Sequence, residues 1–100
     1  MNVKFTASSW RRMQQIRNYH SKKGNSGKGR KITYKILEKA KTLENHPYMG
    51  QEEENLKTLG QGHRYLLIDK LYKVIYLIPD STIFITDIFD TRQDPEKMKP

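Results

Sequence analysis

Three cations stand on or beside runs that read as strands. Arg64 lies in His63-Arg64-Tyr65-Leu66, Lys73 lies between Leu71 and Tyr76, and Arg92 lies between Asp90 and Pro95. A cation in an apolar strand costs desolvation unless it reaches water or a partner. Neighbouring strands of a meander can bring all three to one face or rim, where they would grip a phosphate-sized anion. The same positions equally suit internal ion pairs with Asp87, Asp90 or Asp94. Other constellations carry less chemistry. The stretch Gly24 to Gly29 lacks phosphate-loop spacing and has no apolar strand before it, so it reads as a plain connection. His20, His46 and His63 have no metal-ligand spacing, and neither a metal nor a cofactor is expected. Ser8 and Ser9 lack a nucleophile elbow and read, with Thr6, as helix-capping candidates. Cysteine is absent, which excludes disulfide frameworks, zinc fingers and thiol catalysis.

Charge is distributed unevenly over the 100 residues, whose net is +8. Residues 1–41 carry twelve Lys or Arg against Glu38 alone, a net of +11. Residues 42–60 set Lys57 against Glu44, Glu52, Glu53 and Glu54, a net of −3, and residues 61–100 hold six of each sign. The basic field therefore belongs to the N-terminal part, and it would attract nucleic-acid phosphates or an acidic protein segment. Mean hydropathy is −0.88, yet clustered apolar residues and an aromatic fraction of 10% argue for a folded chain with a small core. The longest apolar stretch, Leu71 to Ile78, is too short to span a bilayer, so no membrane partner is expected. No secretory signal is legible at the N-terminus, and the expected compartment is the cytoplasm.

The elements that must position these groups follow from periodicity. Asn2 to Phe5 reads as a short strand. Trp10, Met13, Ile16 and Tyr19 or His20 mark one face of a helix over about 7–20. Ile32, Ile36, Leu37, Ala40 and Leu43 mark a second helix that ends near Asn45, before Pro47, with Lys31, Lys35 and Lys39 on a neighbouring polar stripe. Residues 22–29 read as a flexible connection, and residues 46–62 as the longest irregular stretch, with Glu52 to Glu54 as a solvated acidic patch. His63–Ile68, Tyr72–Ile78 and Thr82–Phe89, separated by Asp69-Lys70 and Pro79-Asp80-Ser81, read as an antiparallel meander. The tail, 91–100, is polar with room for one helical turn. The expectation is a single α+β domain (1–45 strand plus helical hairpin, 46–62 connection, 63–90 meander, 91–100 tail). Its hairpin packs on a three- to four-stranded, mainly antiparallel sheet.

Several of these segments carry a family resemblance. Val3 to Ala7 running on to Ile16–Tyr19 resembles the opening of the RelE/ParE toxins of bacterial type II toxin–antitoxin (plasmid stabilisation) modules. Leu43 to Pro47 with Gly50 resembles their helix exit. Leu59-Gly60 with His63-Arg64-Tyr65, Tyr72-Lys73-Val74-Ile75-Tyr76, and Ile83–Phe89 followed by Arg92-Gln93-Asp94-Pro95 resemble their successive strands and ending. The resemblance covers almost the whole chain. It implies the RelE/ParE toxin fold and a basic toxin held inactive by a cognate antitoxin that wraps the sheet and hairpin. Lys31, Lys35 and Lys39 are then candidates for antitoxin binding.

The superfamily contains two modes. RelE-like members cut mRNA on the ribosome without a metal. ParE-like members poison DNA gyrase and cleave nothing themselves. Arg64, Lys73 and Arg92 match cationic positions of the cutting pattern, so these three are target-binding candidates in either mode. With His63 they are also the catalytic candidates if the chain is a nuclease. Met98 stands where cutters often carry a C-terminal Tyr, and Leu66 where they often carry Lys. These departures, with the Asp94-Pro95 ending, lean toward the ParE-like mode. The alternatives are a ribosome-dependent mRNA endonuclease and a non-toxic binding or repressor partner with the toxin fold.

Overall fold

Thr6 starts the first helix, since its hydroxyl accepts the Ser9 backbone N–H at 3.2 Å. The computed structural model describes residues 1–100. From its N-terminus the chain forms strand β1 (Asn2–Phe5), helix α1 (Ala7–Lys22), helix α2 (Ser26–Thr42) and strand β2 (Gln51–Glu52). A 3-10 helix (Glu54–Leu59), strands β3 (Arg64–Ile68), β4 (Tyr72–Leu77) and β5 (Thr82–Asp90), and a last 3-10 turn (Pro95–Lys97) complete it.

The link between the helices is shorter than its glycines suggest. Asn25 caps α2 through the Lys28 N–H, so Gly27 and Gly29 fall inside the helix. Gly29 is needed there for packing. A Cβ on it would lie 3.1 Å from the Arg17 Cα and 3.3 Å from the Arg17 carbonyl oxygen. The missing side chain lets α1 and α2 cross closely.

The sheet has five strands in the order β1-β5-β4-β3-β2, which corrects the expected three to four. β1 runs parallel to β5, and every other pair is antiparallel. The extra strand, β2, is two residues long, with Gln51 opposite Tyr65 and Glu52 opposite Arg64. Two residues show no alternation, so that strand lay unseen in the stretch read as irregular. β3 turns into β4 through Asp69 and Lys70, both at positive φ (52° and 56°). That is the left-handed pair a tight right-twisted hairpin requires.

Strand alternation gives the sheet two unlike faces. On the hairpin side Leu66, Val74, Tyr76, Ile83, Ile85 and Ile88 pack with Met13, Ile32, Ile36, Ala40 and Leu43. On the outer side Leu56 and Met98 cover Ile75 and Phe89, with Tyr65 beside them. The middle of β5 changes parity. Ile75 faces Asp87 while Tyr76 faces Ile85, leaving Thr86 as the extra residue of a bulge. Ile88 therefore continues the hairpin face begun by Ile83 and Ile85, and Phe89 joins the outer face.

Gly50 sits where no side chain fits. A Cβ there would lie 2.6 Å from the Tyr76 hydroxyl and 2.8 Å from the Tyr65 carbonyl oxygen. The Gly50 N–H also donates to that hydroxyl at 3.0 Å, and the hydroxyl donates to the Pro47 carbonyl at 2.9 Å. Gly50→Ala is expected to cost about 1–3 kcal/mol in urea unfolding, because Tyr76 is buried and backbone cannot yield. Gly27→Ala meets nothing within 4 Å and is expected to stabilise α2 by up to about 1 kcal/mol.

Candidate functional site

The three strand-associated cations do not meet. Lys73 points to the outer face, where its ammonium donates to the Glu53 carboxylate at 2.8 Å and lies 4.3 Å from the Tyr65 ring centroid. Arg64 is opposite Tyr76, three residues along β4 from Lys73, or roughly 10 Å at strand rise. Its guanidinium donates to the Gly50 carbonyl at 2.7 Å and stands 5.5 Å from the Tyr48 ring centroid. Arg92 lies past the end of β5. It clasps Asp90 with a two-pronged contact, Nε to Oδ1 at 3.1 Å and Nη2 to Oδ2 at 2.8 Å. Each cation already has an acceptor, and alternation with strand register holds them apart.

Glu53 belongs to the acidic run read as solvated, and that reading is corrected here. Its side chain is 1% exposed, and its second oxygen accepts the Asn55 backbone and amide N–H groups. Only alternate residues of the run, Glu52 and Glu54, reach solvent and Lys57. No local signal marked Glu53 as the buried member. Its partner lies twenty residues away, on β4.

His63 is buried, and neither ring nitrogen has a hydrogen-bond partner. Burial pushes its pKa below the usual 6.5, and the nearby Glu53 charge offsets part of that shift. The imidazole is enclosed away from Arg92 and cannot meet a ligand at the surface in this conformation.

A cleft of about 490 Å³ opens between α1, the start of α2 and the adjoining ends of β4 and β5. Arg12, Tyr19 and His20 line it from α1, Lys28 from α2, and Tyr72, Asp90 and Arg92 from the sheet side. Arg12 is anchored to the fully buried Asp87 at 2.9 Å. Tyr72 is nearly buried, and burial followed by the Asp90 charge raises its pKa above 10.0. The hydroxyl therefore stays protonated and is a donor rather than a base. The Arg92 hydrogen bond lowers the Asp90 pKa, so both partners stay ionised. Cations, a protonated phenol and aromatic walls equip this cleft to bind an anionic or aromatic group. In the sequence Tyr19 marks a helix face, and Tyr72 is a strand residue and one of the side chains that would have to take over proton transfer in a nuclease. The signal that joins them is topological, since the hairpin crosses the ends of β4 and β5.

Lys31, Lys35 and Lys39 are all exposed on α2. Lys35 makes a surface ion pair with Asp69 at 3.0 Å, a weak contact in water, while Lys31 and Lys39 have no ion-pair partner.

A hairpin on one face of a mixed five-stranded sheet, with a cleft at its edge, defines a small α+β domain of the RelE/ParE toxin fold. A solved structure described as the chromosomal ParDE toxin–antitoxin system from P. aeruginosa is similar, with a TM-score of 0.74 at 19% identity. That similarity covers 90% of this chain and 95% of the other, and identity this low speaks for fold alone. No curated protein matches the sequence. The family model for the ParE toxin of the type II toxin–antitoxin system parDE matches residues 3–95. The chain belongs to that family and is a type II toxin.

Lys73→Met is expected to leave Glu53 as an unpaired buried carboxylate and to cost about 3 kcal/mol. Adding Glu53→Gln should return part of that loss, and urea midpoints of the single and double variants measure the coupling. The buried His63 gives a second expectation. Its folded pKa lies below the unfolded 6.5, so the unfolded chain takes up the proton first as pH falls. Stability from this group is full above about pH 6.5 and declines below it. Thermal unfolding at pH 7 and pH 5 should show the decline in the parent and a smaller one in His63→Phe.

Proposed function

We propose that this chain inhibits bacterial growth by poisoning DNA gyrase in the cytoplasm, and that a cognate antitoxin protein neutralises it. The observation that carries the reading is the internal engagement of Arg64, Lys73 and Arg92, together with the burial of Met98, in a member of the ParE family. Cutting RNA without a metal requires removal of a 2′-OH proton and protonation of the leaving oxygen, each worth roughly 10²–10⁴-fold. Guanidinium groups stabilise charge but do not shuttle protons at neutral pH. Met98 has no proton to give, and it is packed against Phe89 and Ile75. What remains is a set of binding surfaces, which suits a toxin that acts by holding its target.

The mRNA-cutting alternative keeps one physical support. Tyr72, His20 and Arg92 line a single cleft, so a phenol donor, an imidazole and the Asp90-paired guanidinium lie within one recess. Induction of the protein in cells separates the readings. Gyrase poisoning should give an SOS response and trapped DNA breaks with intact transcripts. Codon-phased cuts in translated mRNA without DNA damage would overturn the proposal. Arg92→Ala should weaken either activity while changing stability by less than about 0.5 kcal/mol, because Arg92 lies at the surface.

The antitoxin is expected to approach along the basic hairpin. Reversing Lys31, Lys35 and Lys39 to Glu should slow association at low salt, with the difference shrinking above about 0.15 M, where the Debye length is about 8 Å. Stopped-flow association rates across a salt series measure this. Equal rates at low salt would take the stripe out of the encounter surface.

A further inference from the structure

The hairpin carries a second recess on the side away from the sheet. It is a depression of about 440 Å³ lined by Gln14, Arg17, Asn18 and Ser21 of α1 and by Ser26 and Arg30 of α2. Spacing makes the α1 contribution one face, since 14, 17, 18 and 21 recur at i, i+3, i+4 and i+7. The Gly29 crossing brings the α2 contribution close, because α2 backbone packs against the backbone of Arg17. Every lining residue is a potential hydrogen-bond donor, two are arginines, and none is acidic or apolar. The first turn of α2, where Ser26 sits, also holds no acidic residue.

Arg17 and Arg30 form no ion pair. Of the twelve Lys and Arg in residues 1–41, only Arg12 and Lys35 are paired with a carboxylate, which leaves ten with none. We propose that this depression is a binding site for the phosphodiester backbone of duplex nucleic acid, with Arg17 and Arg30 as its two phosphate-gripping forks. Three features select that ligand. Paired guanidinium forks with hydroxyl and amide donors match phosphate oxygens. A docked acidic peptide would use apolar anchors at the centre of its contact, and this recess offers none. A single strand would stack its bases on aromatic side chains, and no ring lines the recess. The site is separate from the cleft beside Tyr72 and Arg92, and the inference does not depend on gyrase being the target.

The test is fluorescence anisotropy of the purified full chain with a labelled duplex DNA across a salt series starting near 50 mM. Competitors are a single strand of the same length and poly-glutamate. The parent is expected to bind duplex with a salt-dependent affinity. Arg17→Ala with Arg30→Ala should reduce the slope of log K against log salt by about 2 units, near 0.9 per lost phosphate contact. Lys39→Ala with Lys41→Ala removes the same charge elsewhere on α2 and should change the slope by less than half as much. Arg17→Lys with Arg30→Lys, which keeps the charge, should retain duplex binding and reports that the hairpin is intact. Equal slope losses in the two alanine pairs would mean a diffuse field and overturn the site. So would the absence of duplex binding near 50 mM salt, or tighter binding of the single strand. Poly-glutamate outcompeting duplex, with sensitivity to Arg17 and Arg30, would assign the recess to an acidic protein instead.

Discussion

One extra residue in β5 ties the layers of this fold together. The bulge at Thr86 shifts the side-chain parity of the strand, so that Ile83, Ile85 and Ile88 all serve the hairpin face. The same residue fastens three segments. Its carbonyl accepts the Ser8 hydroxyl of α1 at 3.0 Å, and its hydroxyl donates to the Lys99 carbonyl of the tail at 3.1 Å. Asp87, the next residue, has no solvent exposure. It accepts Arg12 from α1 through one oxygen and the Lys99 N–H through the other, both at 2.9 Å. A buried carboxylate is tolerated only when both oxygens are satisfied. Here that requirement forces helix, strand and tail into one arrangement.

The two faces of the sheet are unequal in consequence. The hairpin face holds a cluster of fourteen buried apolar residues, and the outer face holds four. The buried ionic and unpartnered groups Glu53 and His63 sit with the smaller layer, in and just after the segment that covers it. Apolar burial of about 25 cal/mol per Å² is scarce there, so the layer depends on the Lys73–Glu53 contact and on Tyr76 holding Gly50 and Pro47 in place. Strap and tail together cover Ile75 and Phe89. Of the cations expected to converge on an anion, Lys73 and Arg64 are instead occupied in holding the covering segment, through Glu53 and the Gly50 carbonyl.

Legibility in the sequence followed the range of the interaction that fixes each element. α1, α2 and the three meander strands declared themselves through periods of 3.6 and 2, which are local. The family resemblance ran through those same elements and led to the same fold. β2 escaped because two residues have no period. The start of α2 escaped because Gly27 and Gly29 read as loop chemistry, whereas Gly29 answers to a helix crossing with residues nine to twelve positions upstream, Arg17 and His20. The bulge at Thr86 escaped because Thr and Asp inside a strand resemble solvent-facing positions, and only their partners from α1 and the tail reveal otherwise. The site divided in the same way. Arg64, Lys73 and Arg92 were recognisable as cations in unusual places, and Arg92 pairs with one of the acids named as an alternative. Glu53 and the Gly50 carbonyl, which occupy the other two, lie in the stretch that had no pattern to read.

Charge balance along the chain anticipates which cations are free. Residues 61–100 hold six of each sign, and within that balanced part Arg92 finds Asp90 two residues away. Lys73 borrows Glu53 from the acidic connection. Residues 1–41 have one acid for twelve cations, so pairing cannot neutralise them and the hairpin must project a positive field. A field of that kind reaches about a Debye length, roughly 8 Å at physiological salt, and draws acidic protein and nucleic acid alike. Long-range charge therefore sets the approach of a partner without choosing it. Choice falls to the lining of each recess. The cleft beside Tyr72 mixes cations with aromatic and aliphatic walls and can seat a side chain. The depression between Arg17 and Arg30 sets two guanidinium forks, which can only donate, among amide and hydroxyl groups with no carboxylate, and that lining favours a ligand rich in acceptors.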